Sequence, residues 1–221
     1  MPKIEIVSEK RDYDKYLKID EAIVKETSES GEEKTYNRYA LTRPAAVAVL
    51  VYNSSTDTIV LVEQHRYPVQ VQGGFGDKII EIPAGKIDDG EDPMTAAIRE
   101  VKEEVGYDIT KEKMLFFSEY FPSPGYSSEV VYLFAAHVSD EDKTSEGGGV
   151  DGENENIIIH NVLAPEFFNM ITSGKIIDGK TIMGANYLWH LRNEHIITLG
   201  KQYQEILRNQ ENIKKEDDGE Q

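Results

Sequence analysis

G-K-I-D-D-G-E-D-P-M-T-A-A-I-R-E-V-K-E-E-V-G-Y, residues 85–107, is the stretch from which the fold of this chain can be read. Its first part, Gly85 to Glu91, is a turn rich in Gly and Asp. Its second part carries the signals of a helix. Asp92 offers an N-capping side chain, and Pro93 stands at the first helical position, where a missing N–H costs nothing. Gly106 stands where a left-handed C-terminal cap belongs. Met94, Ala97, Ile98, Val101 and Val105 recur at three- and four-residue spacings and form one apolar stripe. At about 100° per residue, Glu100, Glu103 and Glu104 fall together on the adjoining face. Carboxylates this close repel, at a cost of a few tenths of a kcal/mol per pair. A hard divalent cation removes that repulsion, because Mg²⁺ and Mn²⁺ prefer oxygen ligands. Arg99 can pair with Glu103 four residues on, or reach back to Glu91.

A Glu-rich helix face is ordinarily just solvated surface. The full spacing argues otherwise: Gly85, Glu91, Arg99, Glu100, Glu103, Glu104 and Gly106. At roughly 7% usage per residue type, seven such matches arise by chance about once in 10⁸ start positions. The pattern resembles the Nudix box of the Nudix hydrolases, with hydrophobic Val101 and Tyr107 where that box wants them. The resemblance implies an α/β fold, the Nudix α/β/α sandwich with a mixed sheet, and a Mg²⁺ cofactor that Mn²⁺ can replace. It matches Glu100 and Glu104, with the Ala84 backbone carbonyl, to metal ligands. Glu103 supports them and holds a further ion.

The chain has 221 residues, room for one ordinary domain and an appendage. At 39% hydrophobic and 29% charged it reads as globular and soluble. Ala45 to Tyr52 is too short to span a bilayer, so no membrane partner is expected. Met1-Pro-Lys-Ile-Glu does not read as a signal peptide, and the absence of cysteine excludes disulfides and thiolate metal sites. Both fit a cytoplasmic protein. A net charge of −17 argues against nucleic acid, which needs a basic footprint. It also sits awkwardly with an anionic diphosphate substrate. Charges beyond about 8 Å are largely screened at physiological salt, so bound metal and a few placed arginines decide the local field.

Along the chain, residues 1–43 read as an antiparallel appendage used for dimerisation. Alternating runs cover Lys15 to Thr27 and Glu32 to Thr42, with a turn at Ser28 to Gly31. Such a ribbon is marginal alone and needs something to pack on. Residues 44–209 are expected to form the catalytic domain. Its expected strands are Ala45–Tyr52, Thr58–Glu63, Lys78–Ile82, Lys113–Tyr120, Glu129–Val138 and Ile157–Val162. Helices are expected over Pro165–Thr172, Lys180–Arg192 and His195–Asn209, and residues 210–221 form a polar tail.

The flanks narrow the resemblance to the ADP-ribose and nucleotide-sugar (GDP-mannose-type) pyrophosphatase branch. Pro122 lies sixteen residues past Gly106, within Pro-Ser-Pro-Gly. Glu63-Gln-His-Arg66 is similar to a segment that directs an arginine at the diphosphate; a surface ion pair is the plain alternative for Arg66. Gly147-Gly-Gly-Val150 with Asp151-Gly-Glu153-Asn-Glu155, and Gly174 to Thr181, lean towards the nucleotide-sugar enzymes. The branch exchanges an N-terminal hairpin within a homodimer, and Arg38 matches a position that reaches the partner's site. The polar Ser139–Asn156 loop, hinged on Gly147 to Gly149, reads either as a disordered acidic linker or as a lid that brings the general base over the metals. Glu153 matches that base best, Glu155 is its rival, and Glu129 joins Arg66 and Arg38 as substrate-binding and stands next in line as base. His65 and His160 read as structural. The implied reaction is hydrolysis of ADP-ribose or GDP-mannose to a nucleoside monophosphate and a sugar phosphate. The alternative is a non-catalytic Nudix sensor; such domains typically lose box carboxylates, and Glu100, Glu103 and Glu104 are all present here.

Overall fold

A computed structural model of the chain describes residues 1–149 and 156–192. It opens with β1 (Lys3–Asp14), β2 (Lys18–Thr27) and β3 (Glu33–Thr42), an antiparallel sheet in the order β1-β2-β3. The two runs of expected alternation are β2 and β3; β1 is an addition to the expected appendage. Register shifts between Ile6 and Ser8 and between Arg11 and Tyr13 break its period of two, which hides the strand in the sequence.

The remaining strands build a seven-stranded mixed sheet. β4 (Ala46–Asn53) and β5 (Thr58–His65) form a hairpin that pairs only at its closed end, Val51–Asn53 against Thr58–Val60. Beyond that the two strands part. After the short helix α1 (Tyr67–Gln72), the chain returns into the gap. There β6 (Lys78–Glu81) pairs with β5 and β7 (Ala84–Lys86) with β4. This wedge sets Glu81, Ala84 and Gly85 in the middle of the sheet, beneath α2 (Pro93–Val105). β8 (Met114–Tyr120) and β9 (Val131–Val138) extend the sheet on one side, with β9 parallel to β4, and β10 (Ile158–Leu163) closes the other side against β5.

Alternation along β4 sorts the core into two layers. Val47, Val49 and Val51 pack with Ala96, Ala97, Val101 and Val105 of α2. Ala48 and Leu50 pack on the opposite face, with Phe167 and Met170 of α3 (Ala164–Thr172) and Ala185 and Leu188 of α4 (Gly179–Arg192). The result is the expected α/β/α sandwich. The helix expected over His195–Asn209 and the polar tail lie outside the described residues.

The start of α2 has the expected cap. The Asp92 side chain accepts from the Met94 and Thr95 amides, both at 3.1 Å. The hydrogen bond from the Thr95 side chain, first, and then that from its backbone hold the Asp92 pKa below the ordinary 3.8. Asp92→Ala is expected to lower stability at neutral pH by about 1 kcal/mol in denaturant titrations. Because the folded pKa is depressed, this contribution is present above the unfolded value of 3.8 and is lost as pH falls through the folded value, so wild type and variant converge in acid.

Candidate active site

Above the wedge lies a cleft of about 590 Å³. Its floor is where α2 meets β7. The two elements approach so closely that a Cβ on Gly85 would stand 2.0 Å from the Glu100 carboxylate carbon, so any side chain there would push that carboxylate out of place. Next to it, Glu104, only 2% exposed, accepts the Ala84 N–H at 3.1 Å. Ala84 sits opposite Ala48 in the antiparallel ladder, while Val49 and Ala45 bond to Pro83 and Ile87 on either side. Ala84 is therefore at a non-hydrogen-bonded position, with its N–H and C=O turned away from β4. The structure thus brings Glu100, Glu104 and Ala84 together.

Glu103 is held differently. Arg99 Nη1 donates to Glu100 Oε1 at 2.8 Å and to Glu103 Oε2 at 2.9 Å, while Nε and Nη2 fork onto Glu91, each at 3.0 Å. The Glu91 hydrogen bond, offset by burial and reinforced by Glu100 and Glu103, keeps Arg99 firmly protonated, its pKa raised. Among the described residues, no three carboxylates or imidazoles converge as a ready-made metal cage. What the floor offers is two buried carboxylates and a backbone oxygen. That hard-oxygen set fits a Mg²⁺-like ion, which commonly binds through one or two carboxylates and completes its shell with water and phosphate.

The cleft walls carry cations. Arg43, Arg66, Lys86, Arg99 and Lys180 line it, against the carboxylates Asp88, Glu100 and Glu129. Arg66 Nε bonds Glu81 Oε1 at 2.7 Å, and Lys180 Nζ bonds Glu81 Oε2 at 2.9 Å. Glu81 is 1% exposed, so it serves as a buried counter-ion that fixes both cations at the cleft. Burial opposes the charge on Arg66 and Lys180, and the attraction and hydrogen bonds of Glu81, joined by Asp178, together outweigh it, so both pKa values are raised. Asp178 adds to the pull on Lys180 at 2.7 Å and caps α4 by accepting the Thr181 amide at 2.9 Å.

Of the other expected site residues, Arg66 and Glu129 line the cleft, and Glu129 pairs with Arg43 at 3.4 Å. Arg38 does not line its own chain's cleft; its guanidinium lies 4.2 Å from the centre of the Tyr36 ring on β3. Glu153 and Glu155 lie outside the described residues. His160 bonds Glu63 at 2.8 Å and His65 bonds Gln70 at 3.0 Å, away from the floor. The Ser139–Gly149 part of the expected loop is docked on the C-terminus of α2 through Gly148 and Gly149, so these glycines cap a helix where a disordered linker or a hinge was expected. Sequence reasoning missed Glu81, Lys180, Arg43 and the exposed Tyr16 at the cleft mouth. The signal for Glu81 was present: a lone charge between Ile80 and Ile82, in a strand otherwise suited to burial.

A model of the NUDIX domain matches residues 42–166. This chain belongs to the Nudix family. Nudix hydrolases generally need a divalent metal, which the oxygen donors of the floor suit. Over 185 residues the chain is 33% identical to a GDP-mannose pyrophosphatase of Escherichia coli O1:K1 / APEC, covering 84% of this chain and 94% of that protein. A GDP-mannose pyrophosphatase of Shigella boydii serotype 4 (strain Sb227) is 32% identical over the same length. A solved structure described as an ADP compounds hydrolase superposes with a TM-score of 0.67 at 19% identity, covering 87% of this chain and 96% of the other, and shares the fold. Among the described residues no helix is long and apolar enough to cross a membrane.

The Gly85 contact gives a direct test. Gly85→Ala is expected to fold, because Glu100 can swing aside, and to lose about a hundredfold in turnover, since one misplaced ligating group costs that order. Paired thermal melts and steady-state rates check it.

Proposed function

We propose that this chain is a Mg²⁺-dependent nucleoside-diphosphate-sugar diphosphatase that cuts GDP-mannose or ADP-ribose into a nucleoside monophosphate and a sugar phosphate. The observation that carries this reading is the cleft itself. Buried box carboxylates form its floor and paired cations its walls, in a chain of net charge −17. GDP-mannose is favoured because the relatives with 94% of their length aligned are GDP-mannose pyrophosphatases.

Glu100, Glu104 and the Ala84 carbonyl would hold the metal, with Glu103 supporting them. When bound, the ion polarises phosphate oxygens and a water. Arg66 and Lys180, kept in place by Glu81, grip the diphosphate and stabilise the charge that develops on it. Tyr16, 92% exposed at the cleft mouth, offers a ring face on which a nucleobase can stack. Glu153 accepts the proton of the attacking water, with Glu155 and then Glu129 as alternatives.

The working form is a cytoplasmic homodimer, with residues 1–43 as its dimerisation appendage, 44–209 as the catalytic domain and 210–221 as a tail. Supporting this, β1 is exposed along its whole length, and Ile4, Ile6, Ile23 and Tyr39 of the three-stranded sheet remain exposed. Arg38, outside its own cleft, is then available to a partner's substrate.

A panel of nucleotide sugars with Mg²⁺, read by mass of the products, tests the activity. Tight binding without turnover would favour the sensor instead. Glu104→Gln is expected to lower turnover at least a hundredfold, about 3 kcal/mol of transition-state stabilisation; wild-type rates in saturating Mg²⁺ would refute the assignment. Removing residues 1–43 is expected to give a monomer of low activity by light scattering and assay, and a truncated dimer with unchanged KM would refute the exchange.

A further inference from the structure

An α-helix normally leaves its last carbonyls to solvent or to a local cap. At the C-terminus of α2 the Gly106 cap closes only the Val101 and Lys102 carbonyls, and those of Glu103, Glu104 and Val105 are closed by residues about forty positions later. The Glu103 carbonyl accepts the Gly149 amide at 3.1 Å, and the Glu104 carbonyl accepts the Gly148 amide at 2.8 Å. Lys143 Nζ donates to the Val105 carbonyl at 2.7 Å from 38 residues away. The Gly106 carbonyl accepts the Thr144 amide at 2.9 Å.

The fit is steric as well as polar. A Cβ on Gly106 would stand 2.1 Å from the Ser145 carbonyl oxygen, and one on Gly147 would stand 2.6 Å from the Glu104 carbonyl oxygen. Lys143 also lies 5.1 Å from the centre of the Tyr107 ring, and its backbone bridges Tyr107. It does not line the cleft. The carbonyls it helps to close belong to the turn that bears Glu103 and Glu104.

We propose that Lys143 is a positioning residue for the metal-binding carboxylates. Its ammonium locks the Ser139–Gly149 segment onto the last turn of α2 and thereby fixes the setting from which Glu103 and Glu104 project. This rests on the reading of the floor as a metal site. It assigns to Lys143 a role in metal affinity, beyond holding a helix end together.

The test is Mn²⁺ binding to the substrate-free full chain, followed by electron paramagnetic resonance, alongside thermal melts. Lys143→Met keeps the stem and removes the donor. It is expected to weaken Mn²⁺ binding about tenfold, the usual cost of losing an outer support of a metal ligand, and Lys143→Arg is expected to restore most of that loss. Unchanged Mn²⁺ affinity in Lys143→Met, whatever its melting temperature, overturns the proposal. Glu104→Gln is the control: if it binds Mn²⁺ like wild type, the metal-site reading itself fails, and the proposal with it. Should Lys143→Met not fold, hydrogen exchange in the wild type decides. Coupling is reciprocal, so Mn²⁺ must slow exchange at the Gly148 and Gly149 amides, and no slowing overturns the proposal.

Discussion

Arg99 donates through all five of its guanidinium N–H groups: two bonds to Glu91, one each to Glu100 and Glu103, and one to the Lys86 carbonyl. No other side chain has enough donors, in a fixed planar fork, to make these contacts at once. Through them one residue ties together the turn after β7, β7 itself and two carboxylates of α2. The helix and the strand wedge are thereby joined where Gly85 lies closest to Glu100. The same bonds offset the mutual repulsion that three neighbouring carboxylates would otherwise impose.

A second counter-ion arrangement answers the problem of charge. The chain as a whole carries −17, and its substrate class would be anionic. Glu81, buried in the wedge, spends both carboxylate oxygens on Arg66 and Lys180, which are far apart in the sequence and share it as a partner. The cations are thereby oriented towards the cleft and remain charged. Screening confines the field that matters to such local groups, so the acidic surface and the basic cleft coexist.

How much of this the sequence disclosed depended on how local each feature is. The box helix, its Asp92 and Gly106 caps and the alternation of β4 were legible because their causes lie within a few residues. β1 was hidden by its two register shifts, and β7 by being only three residues long. The joining of Glu100, Glu104 and Ala84 could be named from family resemblance but not from periodicity, since it depends on the parting of β4 from β5. Glu81 and Lys180 were missed because their partnership spans 99 residues. Arg66 was expected at the diphosphate or in a surface ion pair; its place joins the two, at the cleft but paired to a buried carboxylate. The polarity of Ser139–Gly149 suggested a loose loop, whereas its amides are spent on the carbonyls of α2, a match that composition does not reveal.

The proposed divalent ion would sit on the floor formed by Glu100, Glu104 and the Ala84 carbonyl. Anomalous diffraction from crystals grown with Mn²⁺ and a non-hydrolysable nucleotide sugar tests it most directly. The expected result is a peak in bonding distance of both carboxylates and the Ala84 oxygen, with Arg99 still forked on Glu91. A peak that contacts neither Glu100 nor Glu104, with substrate bound in the cleft, would contradict it.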